Sequence, residues 1–228
     1  MTEPEQLPLG FSARPAFGEP DYVVSDCNAE AIGWLDLWPD WPAPLLAVSG
    51  PAASGKTHLC HVFRGRSDAL MLRGNLLSER DIERVIDRPA AVVVDAADHV
   101  AGQTEPERRL FHVFNAVSAA GGALLITGQT PPNTWPVILP DLRSRLATAN
   151  VVAIDGPDDG LLAALLVKQF SDRQLRVPAE VVTFIVRRME RSFEAARNIV
   201  EKLDRAALAE RRNITLPLAR RVIEQTPI

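Results

Sequence analysis

Lysine is scarce in this chain. Only Lys56, Lys168 and Lys202 stand among 25 basic residues, an arginine bias that reflects genome composition rather than chemistry. An excess of positive charge is missing as well. The net charge is −4, and residues 1–30, with six acids against Arg14, account for −5, leaving +1 for the remainder. A general nucleic-acid footprint needs a strongly basic face, so direct sequence-specific DNA binding is not expected. Cysteine is limited to Cys27 and Cys60, with no CxxC pair, which argues against a disulfide framework and fits a reducing compartment. No uninterrupted apolar run approaches the roughly 18 residues of a membrane span. The start, MTEPEQLPLG, offers neither a basic opening nor an apolar signal core. These absences predict a soluble, cytoplasmic protein. With 228 residues, 46% of them apolar, the chain can build one large domain or a medium domain plus a small one.

The most informative stretch runs from Leu45 to Arg66. An apolar run, Leu45-Leu46-Ala47-Val48, is followed by Gly50-Pro51-Ala52-Ala53-Ser54-Gly55-Lys56-Thr57, which fits G-x-x-x-x-G-K-[ST]. Leu59, Val62 and Phe63 then recur at helical spacing. At average composition these four fixed positions coincide by chance in about one chain of this length in a hundred. Strand, glycine-rich turn and helix together are the context the motif needs. The glycines let the backbone curl so that N–H groups point at a phosphate chain, and the helix start adds partial positive charge. Lys56 can reach terminal phosphates, and the Thr57 hydroxyl can ligate Mg²⁺. ADP or ATP with Mg²⁺ is the expected cofactor.

Residues 1–20, with four prolines, three glutamates and no periodicity, read as a flexible arm. Within it, Gln6-Leu7-Pro8-Leu9-Gly10-Phe11 exposes apolar groups that either meet a partner's pocket or fold back on the domain. Tyr22-Val23-Val24 suggests a short extended piece. Asn28–Trp41 reads as a helix ending near Pro39, with Trp34, Trp38 and Trp41 as packing residues. A strand follows at Ala69–Leu72, then a helix over Asn75–Ile86. Ala90–Asp95 is a continuous apolar run ending in an acid, as in a central parallel strand. Some 40 residues after the phosphate loop, Asp95 is placed to hold the water shell of Mg²⁺. The next position, where many hydrolases carry a second acid, is Ala96, and Asp98 lies three residues on. An amphipathic helix, Pro106–Ala120, leads to strand Ala123–Thr127, whose terminal Thr127 could read a γ-phosphate or satisfy local backbone. Then come Asp141-Leu142-Arg143-Ser144-Arg145-Leu146 and a last strand, Asn150–Ile154. Residues 157–228 carry no strand signal and read as four helices beginning at Asp158, Pro178, Ser192 and Thr215. His58 and His61 lie three apart on one helix with no acidic residue or thiol at metal-ligand spacing in the sequence, so packing outweighs metal ligation there.

The phosphate loop, the acid-ended strand, the threonine-ended strand, the DLRSRL segment and the helical tail together resemble the AAA+ module of the initiator DnaA. With the QLPLGF arm, the chain is similar to the Hda family, regulatory inactivators of DnaA. The resemblance implies an α/β fold, a P-loop AAA+ parallel five-stranded sheet flanked by helices and followed by a small all-α lid domain. It divides the chain into a clamp-binding arm (1–20), an AAA+ nucleotide-binding domain (21–156) and a lid (157–228). It further implies that Gln6, Leu7, Leu9 and Phe11 bind the DNA polymerase sliding clamp, and that residues 50–57, Asp95 and Thr127 hold nucleotide, Thr57 and Asp95 on the Mg²⁺ side. Arg145, the last arginine of DLRSRL, matches the arginine finger that acts in trans on ATP bound to DnaA. An ion pair with Asp141, four residues back, is the alternative, and Arg143 is a second candidate for the same interface. The family's lid arginine has no clear counterpart: Glu194 falls near its place, with Arg197 one turn later and Arg191 just before.

The implied function is stimulation of DnaA-bound ATP hydrolysis, with DnaA, the clamp and a second copy of the chain as partners and weak or no ATPase of its own. Rival readings are a DnaC-like helicase loader, which would carry a longer N-terminal region, and a small-molecule P-loop kinase, which would need acceptor-binding residues.

Overall fold

Four of the predicted apolar runs pair as strands buried over all or much of their length, and a fifth closes one edge. The computed structural model describes residues 24–86, 91–210 and 212–224. They comprise two units, one over residues 27–156 and one from Pro157 onward. In the first, β1 (Leu45–Ser49), β2 (Leu70–Arg73), β3 (Ala91–Asp95), β4 (Ala123–Gly128) and β5 (Asn150–Ala153) form one sheet in the order β2-β3-β4-β1-β5, every pair parallel. β1, β3 and β4 are buried along their whole length, as central strands covered on both faces must be. Because all five run the same way, the loops leaving β1, β3 and β4 emerge at one edge. Ligands of open α/β sheets bind at that edge. The register sets Val48 beside Thr127 and Val94 beside Ile126, which brings the ends of the three strands level.

Helices α1 (Ala29–Asp36), α2 (Lys56–Ser67), α3 (Glu79–Ile86), α4 (Thr104–Ala119) and α5 (Pro140–Leu146) complete this unit. α1 is shorter than the predicted helix. Proline at 39 disfavours helical backbone at Trp38, so the last residues leave the helix. Trp38 meets the Phe63 ring edge-on at 5.8 Å and Trp41 stacks on it at 5.3 Å, so both tryptophans pack against α2. The predicted helix 75–86 divides in two. A 3-10 turn covers Gly74–Leu76, and α3 restarts behind a cap in which Asp81 accepts hydrogen bonds from the Ser78 N–H (3.1 Å) and hydroxyl (2.7 Å). Leu110, Val113, Phe114 and Val117 carry α4 into the core, with Phe111 at its margin.

The second unit is all helix: α6 (Asp159–Asp172), α7 (Ala179–Val186), α8 (Phe193–Glu210) and α9 (Leu216–Glu224). Asp158 caps α6 through the Leu161 N–H at 2.6 Å, and Ser192 caps α8 through the Ala195 N–H at 3.0 Å. α7 ends at Val186, since the chain must turn before Ser192 can cap the next helix. Leu162, Leu166, Phe170, Val181, Ile185, Val200 and Leu203 form a core separate from that of the sheet. No helix of the described residues is long and apolar enough to cross a membrane.

Phe170 is the largest fully buried side chain of this helical core. Phe170→Ala should cost about 3–5 kcal/mol, read as a drop in the urea midpoint of the helical-unit transition.

Candidate functional site

The loop between β1 and α2 is shaped by two glycines with different duties. A Cβ on Gly50 would lie 2.8 Å from the Ile154 carbonyl oxygen, so the backbone approach to the end of β5 excludes a side chain there. Gly55 sits at φ +88°, the left-handed region glycine enters without steric cost, and Ala53 accepts the same region at φ +60°. Pro51, Ala52 and Ala53 form the exposed rim while Ser54 turns inward and is buried. α2 starts at Lys56 with no side-chain cap, so its first-turn N–H groups are offered at the loop.

Lys56 closes the loop on itself. Its ammonium donates to the carbonyls of Gly50 and Pro51, both at 2.7 Å, and to the Ser54 hydroxyl at 3.2 Å. Burial lowers its pKa below the ordinary lysine range, against the opposing pull of Asp98, Asp95 and Cys60.

Asp95 gathers the rest. Its carboxylate, 7% exposed at the end of β3, accepts the Thr57 hydroxyl at 2.8 Å and the Thr127 hydroxyl at 2.6 Å. Thr127 in turn accepts the Ala96 N–H at 2.8 Å. At 1% exposure its hydroxyl is committed to β3, which favours the reading of a satisfied strand-end group over one facing a γ-phosphate. The Cys60 thiol lies 3.9 Å from the same carboxylate, and burial, with Asp95 next, pushes its pKa well up. Thr57 has one proton and gives it to Asp95, which leaves its oxygen lone pairs for a cation. A hydroxyl on the exposed side with an acid behind it is a donor set that fits Mg²⁺. Loop, ammonium and N–H groups fit the phosphates of ADP or ATP.

Ala96 occupies the position after Asp95 with φ +53°, and its carbonyl oxygen lies 2.2 Å from where a Gly74 Cβ would stand. Asp98 accepts the Gln129 N–H at 2.9 Å and so ties the exits of β3 and β4 together. Among the described residues no three His, Cys, Asp or Glu side chains cluster as a metal site, and His58 and His61 belong to no such group.

Arg145 lies near the end of α5, exposed, with its guanidinium 5.4 Å from the centre of the Phe114 ring. Among the described residues it forms no ion pair, so the alternative partner Asp141 does not hold it. Arg143 differs: its guanidinium donates back to the Val137 carbonyl and is spent on the preceding loop. In the helical unit Arg191 makes a paired contact with Asp159, at 2.9 and 3.1 Å. Arg197 and Glu194, on the first turns of α8, are exposed. Gln6, Leu7, Leu9 and Phe11 lie outside the described residues. Sequence reasoning did not single out Glu107, a fully buried carboxylate on α4. Its position in a first helical turn reads as an ordinary dipole-facing acid, and its partners are remote in the chain.

Comparison with known proteins agrees with this geometry. Residues 158–223 match the Hda lid domain model. Domain III of the replication initiation protein DnaA from Thermotoga maritima superimposes with a TM-score of 0.76 at 19% identity, covering 89% of this chain and 93% of that one. The chain has a DnaA-like AAA+ fold and ends in an Hda-type lid. AMPPCP-bound DnaA from Aquifex aeolicus aligns at a TM-score of 0.66 and 14% identity, over 83% of this chain and 68% of the other. An uncharacterized protein of Haemophilus influenzae is 26% identical over 193 residues, 81% of this chain and 83% of its own. The DnaA-like sheet carries the phosphate loop and the acid-ended strand, and the Hda-like lid follows it.

Asp95→Asn should weaken ADP binding at least tenfold in Mg²⁺ while leaving the affinity in EDTA within about twofold. Titration of a fluorescent ADP analogue under both conditions checks this.

Proposed function

We propose that this protein is a DnaA-related regulator that stimulates hydrolysis of ATP bound to DnaA while tethered to the DNA polymerase sliding clamp. The observation that carries the proposal is Arg145: a guanidinium that no acid among the described residues pairs with, on the surface of a DnaA-like AAA+ domain. A group of this kind, projected into another subunit's site, neutralises charge that builds on a transferring phosphoryl group. In related systems such a residue contributes roughly 10³–10⁵ in rate. The chain's own nucleotide, ADP or ATP with Mg²⁺ held by Thr57 and Asp95, orders the domain instead of turning over. Ala96 supplies no second acid, and the Thr127 hydroxyl is bonded to Asp95 and Ala96. Gln6, Leu7, Leu9 and Phe11 form the clamp tether, and Arg197, exposed on α8 while Arg191 pairs with Asp159, is the candidate to stand in for the missing lid arginine.

Arg145→Ala should keep clamp capture on clamp-loaded DNA and reduce stimulated hydrolysis of DnaA-bound ATP by at least a hundredfold. Arg145→Lys should not restore it, because a point charge lacks the planar fork. Replacing Leu9 and Phe11 together by Ala should abolish clamp capture and leave Arg145-dependent stimulation recoverable at high protein concentration. Unchanged stimulation by the alanine variant would refute the assignment of the finger.

A further inference from the structure

The helix that presents Arg145 is seven residues long, about two turns, too short to hold its direction by its own hydrogen bonds. Pro140 opens it and has no N–H, so the last backbone donors before it belong to Ile138 and Leu139. Both go to one side chain. The Glu107 carboxylate accepts the Leu139 N–H at 2.7 Å and the Ile138 N–H at 3.0 Å on each oxygen. It also accepts the Gly102 N–H at 2.8 Å, so the turn after β3 is stitched to the same point. Glu107 is fully buried. From the other side, Arg143 donates to the Val137 carbonyl and closes the loop against its own helix. Leu142 and Leu146 then fix the rotation of the helix by packing into the core.

We infer that Glu107 is a positioning residue: its buried carboxylate, by clamping Gly102, Ile138 and Leu139, sets the angle at which α5 presents Arg145 to a partner's nucleotide. The inference rests on the finger reading above and adds to it the element that aims the finger. A carboxylate suits the place because it only accepts, and every group facing it only donates. The isosteric amide would turn an NH₂ toward at least one of those N–H groups, so Glu107→Gln keeps the volume and breaks the clamp. Leu139→Pro approaches from the other partner: φ at 139 is already −73°, which suits proline, and the substitution removes one N–H while leaving the carboxylate intact.

The test measures stimulated hydrolysis of DnaA-bound ATP as a function of added protein, using the full chain with clamp-loaded DNA. For both variants the plateau rate should fall at least tenfold while the half-saturating concentration and the affinity for ADP stay within about twofold. Simple destabilisation would move the half-saturating concentration, because a smaller folded fraction is overcome by adding more protein. In an Arg145→Ala background neither substitution should lower the rate further. Should Glu107→Gln fail to fold, Leu139→Pro alone decides. A full plateau in the folded variants, or a shift confined to half-saturation, overturns the positioning role. Arg145→Ala without effect overturns instead the finger reading on which it rests.

Discussion

One carboxylate holds the nucleotide edge of the sheet together. Asp95 receives a hydroxyl from α2, a hydroxyl from β4 and the near approach of a thiol, so three elements that the chain builds far apart are fixed to one oxygen pair. An acid this buried costs free energy unless its lone pairs are occupied, and the two threonines occupy them. What remains exposed is the far side of Thr57, where a cation would sit. The same residue that satisfies the fold therefore shapes the candidate binding site.

Glu107 does for the arginine helix what Asp95 does for the phosphate loop. Each is a buried carboxylate surrounded only by donors, and each converts irregular backbone into fixed geometry. Binding surfaces on loops need this kind of support, since backbone without ladder partners must find its hydrogen bonds elsewhere.

Much of this was legible in the residues. The phosphate loop declared itself because its chemistry is local: eight consecutive positions carry glycine, lysine and threonine at fixed offsets. The central strands were legible because burial on both faces makes them continuously apolar, as in Ala91–Asp95. Helix ends were read less well. The apolar pattern of 75–86 does not show the break; the serine-to-acid spacing of Ser78 and Asp81 is the signal that places it. Glu107 was illegible for a different reason: its donors lie 31 and 32 residues ahead in a proline-rich loop with no periodicity. Helical spacing offered an Asp141–Arg145 pair as the alternative, yet the guanidinium lies over the face of Phe114, a contact that only tertiary packing supplies.

The shortage of lysine acquires a practical meaning once Lys56 is placed. Besides Lys168, paired with Asp172, and Lys202, it offers the chain's remaining side-chain amine. Because burial weakens its hold on its proton, it is inclined to react as a free amine at milder pH than an ordinary lysine. Acylation of that single nitrogen would erase the charge at the centre of the loop, and a bound nucleotide would shield it, so amine chemistry offers a direct report on occupancy.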